Sequence, residues 1–204
     1  MIVYEVSAGQ YSPYKNAPKL YLNITNACNN DCAFCLRKLK TQGLWLGSDP
    51  ELAEIIAELD GVDFAPVEEV IVCGYGEPTC RQNVLVEVLR YVKKKYQVST
   101  RLNTNGLGNL ENGRDISGEF KNLLDVVSIS LNASDAENYY RITRSKFGLS
   151  AFEAMLDFAE KMKSVCKVVM TVVDKVTPEE EIVCCREICK ERSLGFRLRA
   201  YENV

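Results

Sequence analysis

The stretch KLYLNITNACNNDCAFCLRK, residues 19–38, runs from an alternating apolar segment straight into three cysteines, Cys28, Cys32 and Cys35. Residues 19–25 read as a β-strand, and the cysteines follow it with the spacing C-x3-C-x2-C. A closed structural zinc site takes four protein ligands, commonly two close cysteine pairs or cysteines with histidines. This chain has no histidine, and none of Cys73, Cys80, Cys166, Cys184, Cys185 and Cys189 forms a C-x2-C pair. Three thiolates hold three irons of a four-iron cluster and leave the fourth iron open to a reagent. A set one ligand short is what a reactive cluster needs and a structural site avoids.

The rest of the chain repeats the strand-then-loop pattern. Strands are predicted at 67–73, 97–104, 123–132, 166–174 and 195–201, and helices at 49–61, 83–95, 150–162 and 177–192. Leu52, Ile55, Ile56 and Leu59 fall on one helical face. Ser150 with Glu153, and Thr177 with Pro178 and Glu180, read as helix starts with capping boxes. Six β units with helical crossovers predict a parallel sheet curled by right-handed connections into an open, partial (β/α)6 barrel, an α/β fold. Residues 1–18 read as an arm or edge strand, and 19–204 as a single core domain.

The unusual loops fall just after strands: CNNDCAFC, GYGEP (74–78), NTNG (103–106), SLNAS (130–134) and AYEN (200–203). In parallel α/β barrels the chemistry gathers at the carboxyl ends of the strands, where such loops converge. With period two, Ser128, Ser130 and Asn132 share a strand face, as do Asn103 and Asn105. Cys185 and Cys189 lie one helical turn apart with Ile182 and Ile188 and read as core, as does Cys73 at a strand end. Cys80 adjoins the GYGEP loop and takes no assignment from the sequence.

Composition narrows the class. Of 204 residues 47% are hydrophobic and 26% charged, with a net charge of −3, which gives no electrostatic footprint for nucleic acid. The N-terminus lacks a signal-peptide pattern and no apolar run is long enough to span a bilayer, so a cytoplasmic protein with no membrane association is expected. In that reducing compartment nine cysteines read as metal ligands or core residues rather than disulfides.

The cysteine spacing, with Phe34 before the last cysteine, resembles the signature of the radical S-adenosylmethionine (SAM) enzymes. The resemblance runs from Lys19 to Tyr201. The short N-terminal arm, YLNITN and NDCAFC also resemble the small TatD family-associated radical SAM proteins. The resemblance implies a [4Fe-4S] cluster on Cys28, Cys32 and Cys35 with SAM chelated to the open iron. One electron, from a reductant such as flavodoxin or ferredoxin, cleaves the sulfonium to a 5′-deoxyadenosyl radical that abstracts hydrogen from a substrate. It further implies that Gly76 and Glu77 meet the SAM amino group, that Asn103, Ser130 and Asn132 meet the nucleoside side, and that Arg144 or Arg141 meets the SAM carboxylate. Tyr75 separates Gly74 from Gly76, where the family often has adjacent glycines. A bare partial barrel has an open side, so a bulky substrate or partner protein is expected to cover it, with Tyr139, Tyr140, Arg37, Lys38 and Lys40 as surface candidates. The competing class is a non-catalytic metal protein, either an electron carrier or a structural zinc site, which would need Cys73 or Cys80 as a fourth ligand.

Overall fold

The computed structural model describes residues 1–7, 10–39 and 43–201; Lys40, Glu202 and Asn203, named above, lie outside them. Eight strands form one sheet in the order β2-β1-β3-β4-β5-β6-β7-β8. The strands are β1 (Val3–Ser7), β2 (Gln10–Pro13), β3 (Lys19–Leu22), β4 (Glu69–Val72), β5 (Ser99–Thr104), β6 (Val126–Ser130), β7 (Lys167–Val173) and β8 (Gly195–Arg199). The helices are α1 (Leu52–Asp60), α2 (Gln82–Lys95), α3 (Gly108–Asn112), α4 (Ala136–Thr143), α5 (Ser150–Met162) and α6 (Glu179–Glu191). Strands β3 to β8 pair in parallel, and β1 pairs antiparallel with both β2 and β3. The N-terminal segment is thus a two-stranded hairpin that widens the sheet, more than the arm or single edge strand expected.

Alternation along each parallel strand decides what faces where. Leu20, Leu22, Val70, Val72, Leu102, Val127, Ile129, Met170 and Val172 are buried and form one core with the helices. The helices supply Ile55 and Leu59 from α1, Leu85, Leu89 and Val92 from α2, and Met155, Phe158 and Met162 from α5. The intervening residues, among them Tyr21, Glu69, Arg101, Asn103, Ser128 and Arg197, line an inner cavity instead. Tyr4 and Tyr11 of the hairpin line that cavity together with Arg199 of β8. The two ends of the sheet therefore curl towards each other, as a partial barrel requires.

Two helix starts differ from the sequence reading. Thr177 does not cap α6; its hydroxyl donates to the Asn132 carbonyl at 3.2 Å, and Pro178 takes the cap position. Ser150 donates to the Phe147 carbonyl at 2.8 Å, and α5 has no side-chain cap. Helix α4 was not expected. It is short and polar, and it starts because Asp135 accepts from the Asn138 N–H at 2.8 Å. It buries Tyr139 completely and leaves Tyr140 outside, so the exposed reading of Tyr139 is corrected. Cys185 and Cys189 are buried on α6, as core cysteines should be. Among the described residues no helix is long and apolar enough to cross a membrane.

Leu102 sits in the middle of the sheet with no exposed surface. Truncation to alanine removes its packing in the core and leaves a void. Urea denaturation of Leu102→Ala is expected to show a loss of about 2–5 kcal/mol.

Candidate active site

The cysteine loop is fixed on both flanks. Where it leaves β3, the Asn23 amide donates to the Leu44 carbonyl at 2.6 Å and the Thr25 hydroxyl to Asp49 at 2.9 Å. The GYGEP loop after β4 then runs against it: Gly76 N–H donates to the Thr25 carbonyl at 3.1 Å and Glu77 N–H to the Ala27 carbonyl at 2.7 Å. On the far flank Asp31 and Ala33 N–H groups donate to Thr143 and Ile142, both at 2.9 Å, docking the loop on the end of α4. The glycines are demanded by this closeness. A Cβ on Gly76 would lie 2.3 Å from the Thr25 oxygen, and one on Gly74 would lie 2.0 Å from the Asn23 side-chain oxygen. Tyr75 between them is buried and packs with Tyr4 and Leu44, so non-adjacent glycines serve two separate approaches.

These loops enclose a cavity of about 240 Å³ at the carboxyl ends of the strands. Cys28, Cys32, Phe34, Cys35, Gly76, Glu77, Asn103, Ser130 and Asn132 all line it, so nine of the ten residues chosen from the sequence converge. The tenth, Arg144, does not. It ends α4 in a left-handed conformation, φ 48°, with its side chain exposed and 3.6 Å from Asp31. Arg141 likewise turns to Asn138, at 2.6 Å. The cations that do reach the wall are Arg37 and Arg199. Arg37 looked like a surface residue because its carbonyl-directed contact, to Asn30 at 2.8 Å, is invisible in the sequence. Cys73 also lines the cavity rather than the core, beside Asn103. Cys80 sits on a short 3₁₀ turn, Pro78–Arg81, outside the cavity wall.

Glu77 is buried and already engaged. Oε1 accepts from Thr79 N–H at 3.1 Å, the Thr79 hydroxyl at 2.8 Å and the Thr104 hydroxyl at 2.7 Å. Oε2 accepts from Asn105 N–H at 2.7 Å. Burial pushes its carboxyl above the usual range, and these bonds pull it partly back. Asn105 in turn donates to Asn29 of the cysteine loop at 2.5 Å.

The thiols suit a metal cluster in kind and place. Burial, then the Glu77 charge, raises Cys28 to about 11; burial, then the neighbouring Cys28, raises Cys32 to about 12. Arg37 acts in the opposite sense on both. Without metal these groups are protonated at neutral pH, and thiolates are donors for soft or borderline metals, iron–sulfur units among them. Among the described residues no three metal-ligating side chains converge on a single ion position. A four-iron cluster puts each thiolate on a different iron, so its ligands surround it and share no common point. A second sign of fit is Asn132. Its Oδ1 is buried in the wall with no hydrogen-bond partner among the described residues, an arrangement that suits a bound donor.

Comparison with known proteins agrees with this geometry. The family model for the Radical SAM superfamily matches residues 22–184. A GTP 3′,8-cyclase from Corynebacterium glutamicum (strain R) is 32% identical over 197 residues, covering 92% of this chain and 49% of that protein. A probable GTP 3′,8-cyclase from Saccharolobus solfataricus is 29% identical over 142 residues, covering 68% of this chain and 41% of that protein. The chain thus spans about half the length of the curated relatives it matches. The crystal structure of Streptococcus suis SuiB bound to S-adenosylmethionine superposes with a TM-score of 0.70 over 92% of this chain and 41% of SuiB, at 17% identity, which is a likeness of fold.

Gly76→Ala is expected to displace the cysteine loop and to lower iron content after anaerobic reconstitution. Gly118→Ala, where a Cβ meets nothing within 4 Å, is expected to load like the parent. Thiols must shed their protons to bind metal, so raised thiols make loading proton-coupled. Iron loading of the metal-free chain is expected to strengthen from pH 7 to pH 9 and to release protons, measured by titration in a pH-stat.

Proposed function

The chain belongs to the radical SAM superfamily, and from that premise we propose that it is a radical SAM enzyme acting on a substrate held inside the partial barrel. The observation that carries the reading is the convergence of Cys28, Cys32 and Cys35 on one cavity with Asn132, whose buried oxygen has no partner among the described residues. When bound, a [4Fe-4S] cluster with SAM supplies reductive cleavage of the sulfonium and a 5′-deoxyadenosyl radical that takes a hydrogen atom from the substrate.

The chain's own residues hold and orient these groups. Cys28, Cys32 and Cys35 ligate the cluster. Asn132 Oδ1 accepts a hydrogen bond from SAM. Arg37, the cation acting on both Cys28 and Cys32, faces the SAM carboxylate in the role first sought at Arg144. Glu77 Oε2 accepts one bond from the protein and has capacity for one from the SAM amino group. Asn103 and Ser130 lie deeper, on the substrate side, because they also line the inner cavity. Phe34 and Tyr75 keep the wall apolar and restrict water. A flavodoxin- or ferredoxin-type reductant supplies the electron, and a bulky substrate or partner covers the mouth. The short arm with YLNITN and NDCAFC supports placement near the TatD family-associated group.

Anaerobically reconstituted protein with dithionite and SAM is expected to form 5′-deoxyadenosine and methionine. Each of Cys28→Ala, Cys32→Ala and Cys35→Ala is expected to abolish this, and Cys184→Ala to preserve it, since Cys184 is exposed and remote on α6. An intact four-iron protein that leaves SAM uncleaved would overturn the reading. Asn132→Ala is expected to fold normally and to weaken SAM binding about tenfold, the cost of one buried hydrogen bond.

A further inference from the structure

The lumen continues as a second cavity of about 370 Å³ that reaches Lys19 and Glu69 at the amino ends of β3 and β4. Its lining carries four cations, Lys19, Arg101, Arg197 and Arg199, and a single acid, Glu69. Glu69 is committed, because its Oε1 accepts from Arg101 Nε at 2.9 Å. Arg101 Nη1 also donates to the Ser128 hydroxyl at 3.0 Å. Among the described residues Lys19, Arg197 and Arg199 have no ion-pair partner. The chain as a whole has more acid than base, 28 residues against 25, so this cavity inverts the overall balance. Cations gathered in one recess repel each other and raise the local concentration of anions.

The geometry brings these charges together across the barrel. Arg197 lies on β8 and Tyr21 on β3, at opposite ends of the parallel run. Both Arg197 and Arg101 nevertheless act on the Tyr21 hydroxyl, offsetting part of the rise that burial causes. Arg197 is exposed to solvent and also lines the cavity.

We infer that this second cavity is an oxyanion subsite in which Arg197, with Lys19 and Arg101 in the same wall, binds a phosphate or carboxylate group of the substrate. Guanidinium groups suit this because they meet either oxyanion with paired hydrogen bonds. The inference rests on the radical-enzyme reading only in calling the occupant a substrate. The two cavities share Asn103, Ser130 and Arg199, so a molecule anchored here extends towards the cysteine end.

The test is calorimetric titration of the full chain, at low ionic strength, with inorganic pyrophosphate for the phosphate arm and malonate for the carboxylate arm. At least one probe is expected to bind saturably, one per chain, and the stronger arm identifies the group. Arg197→Gln is expected to weaken binding about tenfold or more, and Arg197→Lys, which keeps the charge and loses the fork, by less. Arg186→Gln is the control for general surface charge, since Arg186 stacks on the Phe196 ring at 4.4 Å outside the cavity. Thermal melts establish that each variant is folded. No saturable binding by either probe, or equal weakening by Arg197→Gln and Arg186→Gln, would overturn the inference. Formation of 5′-deoxyadenosine by the wild-type protein is measured in parallel: binding without SAM cleavage sinks the radical-enzyme reading alone, and cleavage without binding sinks this one alone.

Discussion

The buried carboxylate of Glu77 is the tie on which the mouth of the barrel depends. It is 4% exposed and has no cationic partner among the described residues. Leaving a carboxylate in such a place is expensive unless its oxygens find donors, and here four donors reach them, three on Oε1 and one on Oε2. The donors come from the loops after β4 and β5, and Glu77's own N–H is anchored on the loop after β3. Asn105 passes the connection on to Asn29. Three consecutive strand ends are therefore joined through one side chain, and the cysteines take their position from the sheet rather than from a free loop.

That arrangement explains which parts of the fold were legible. Strands β3 to β8 show themselves because one face of each must be apolar to meet the helices, and Leu20, Leu22, Val70, Val72 and Leu102 mark it. Helices α1, α2, α5 and α6 show themselves by periodic burial. The hairpin and α4 do not. Strand β2 has no buried residue, and α4 buries only Tyr139 and Thr143, too few to print a period. Both elements are held by tertiary contacts: Tyr4 stacks on Tyr21 at 5.2 Å, and α4 receives the backbone of the cysteine loop. The misread caps share a cause, since Thr177 and Ser150 each found a backbone carbonyl that the sequence does not reveal.

At the site, local patterns carried far and long-range ones did not. Cysteine spacing and strand alternation were enough to bring Asn103 and Ser130 to the cavity. Asn132 reaches it by another route. β6 ends at Ser130, and Asn132 turns into a left-handed conformation, φ 57°, instead of continuing the alternation. Arg144 stays outside the cavity and Arg37 lines it, and the difference lies in which backbone carbonyls and carboxylates surround each one. A glutamate beside a glycine announces a polar site; whether its oxygens face a ligand or the protein depends on Thr104 and Asn105, nearly thirty residues on.

The same alternation that builds the core gives the barrel a graded interior. At the carboxyl ends the wall is mostly sulfur, amide and aromatic, with Arg37 and Arg199 its cations, and the hairpin closes one side there: Tyr4 is buried and donates to the Cys73 carbonyl at 3.0 Å, with Tyr11 5.7 Å from it, ring to ring. The side expected to lie bare is thus partly walled by the chain itself. Further along the lumen the wall is cationic, from Lys19 at the amino end of β3 to Arg197 in the middle of β8, and both are exposed to solvent. A molecule with an anionic head and a less polar body is favoured with its head beside Lys19, Arg101 and Arg197, because three cations there face a single acid that is already paired. That uneven distribution of charge follows from which residues the strands turn inward.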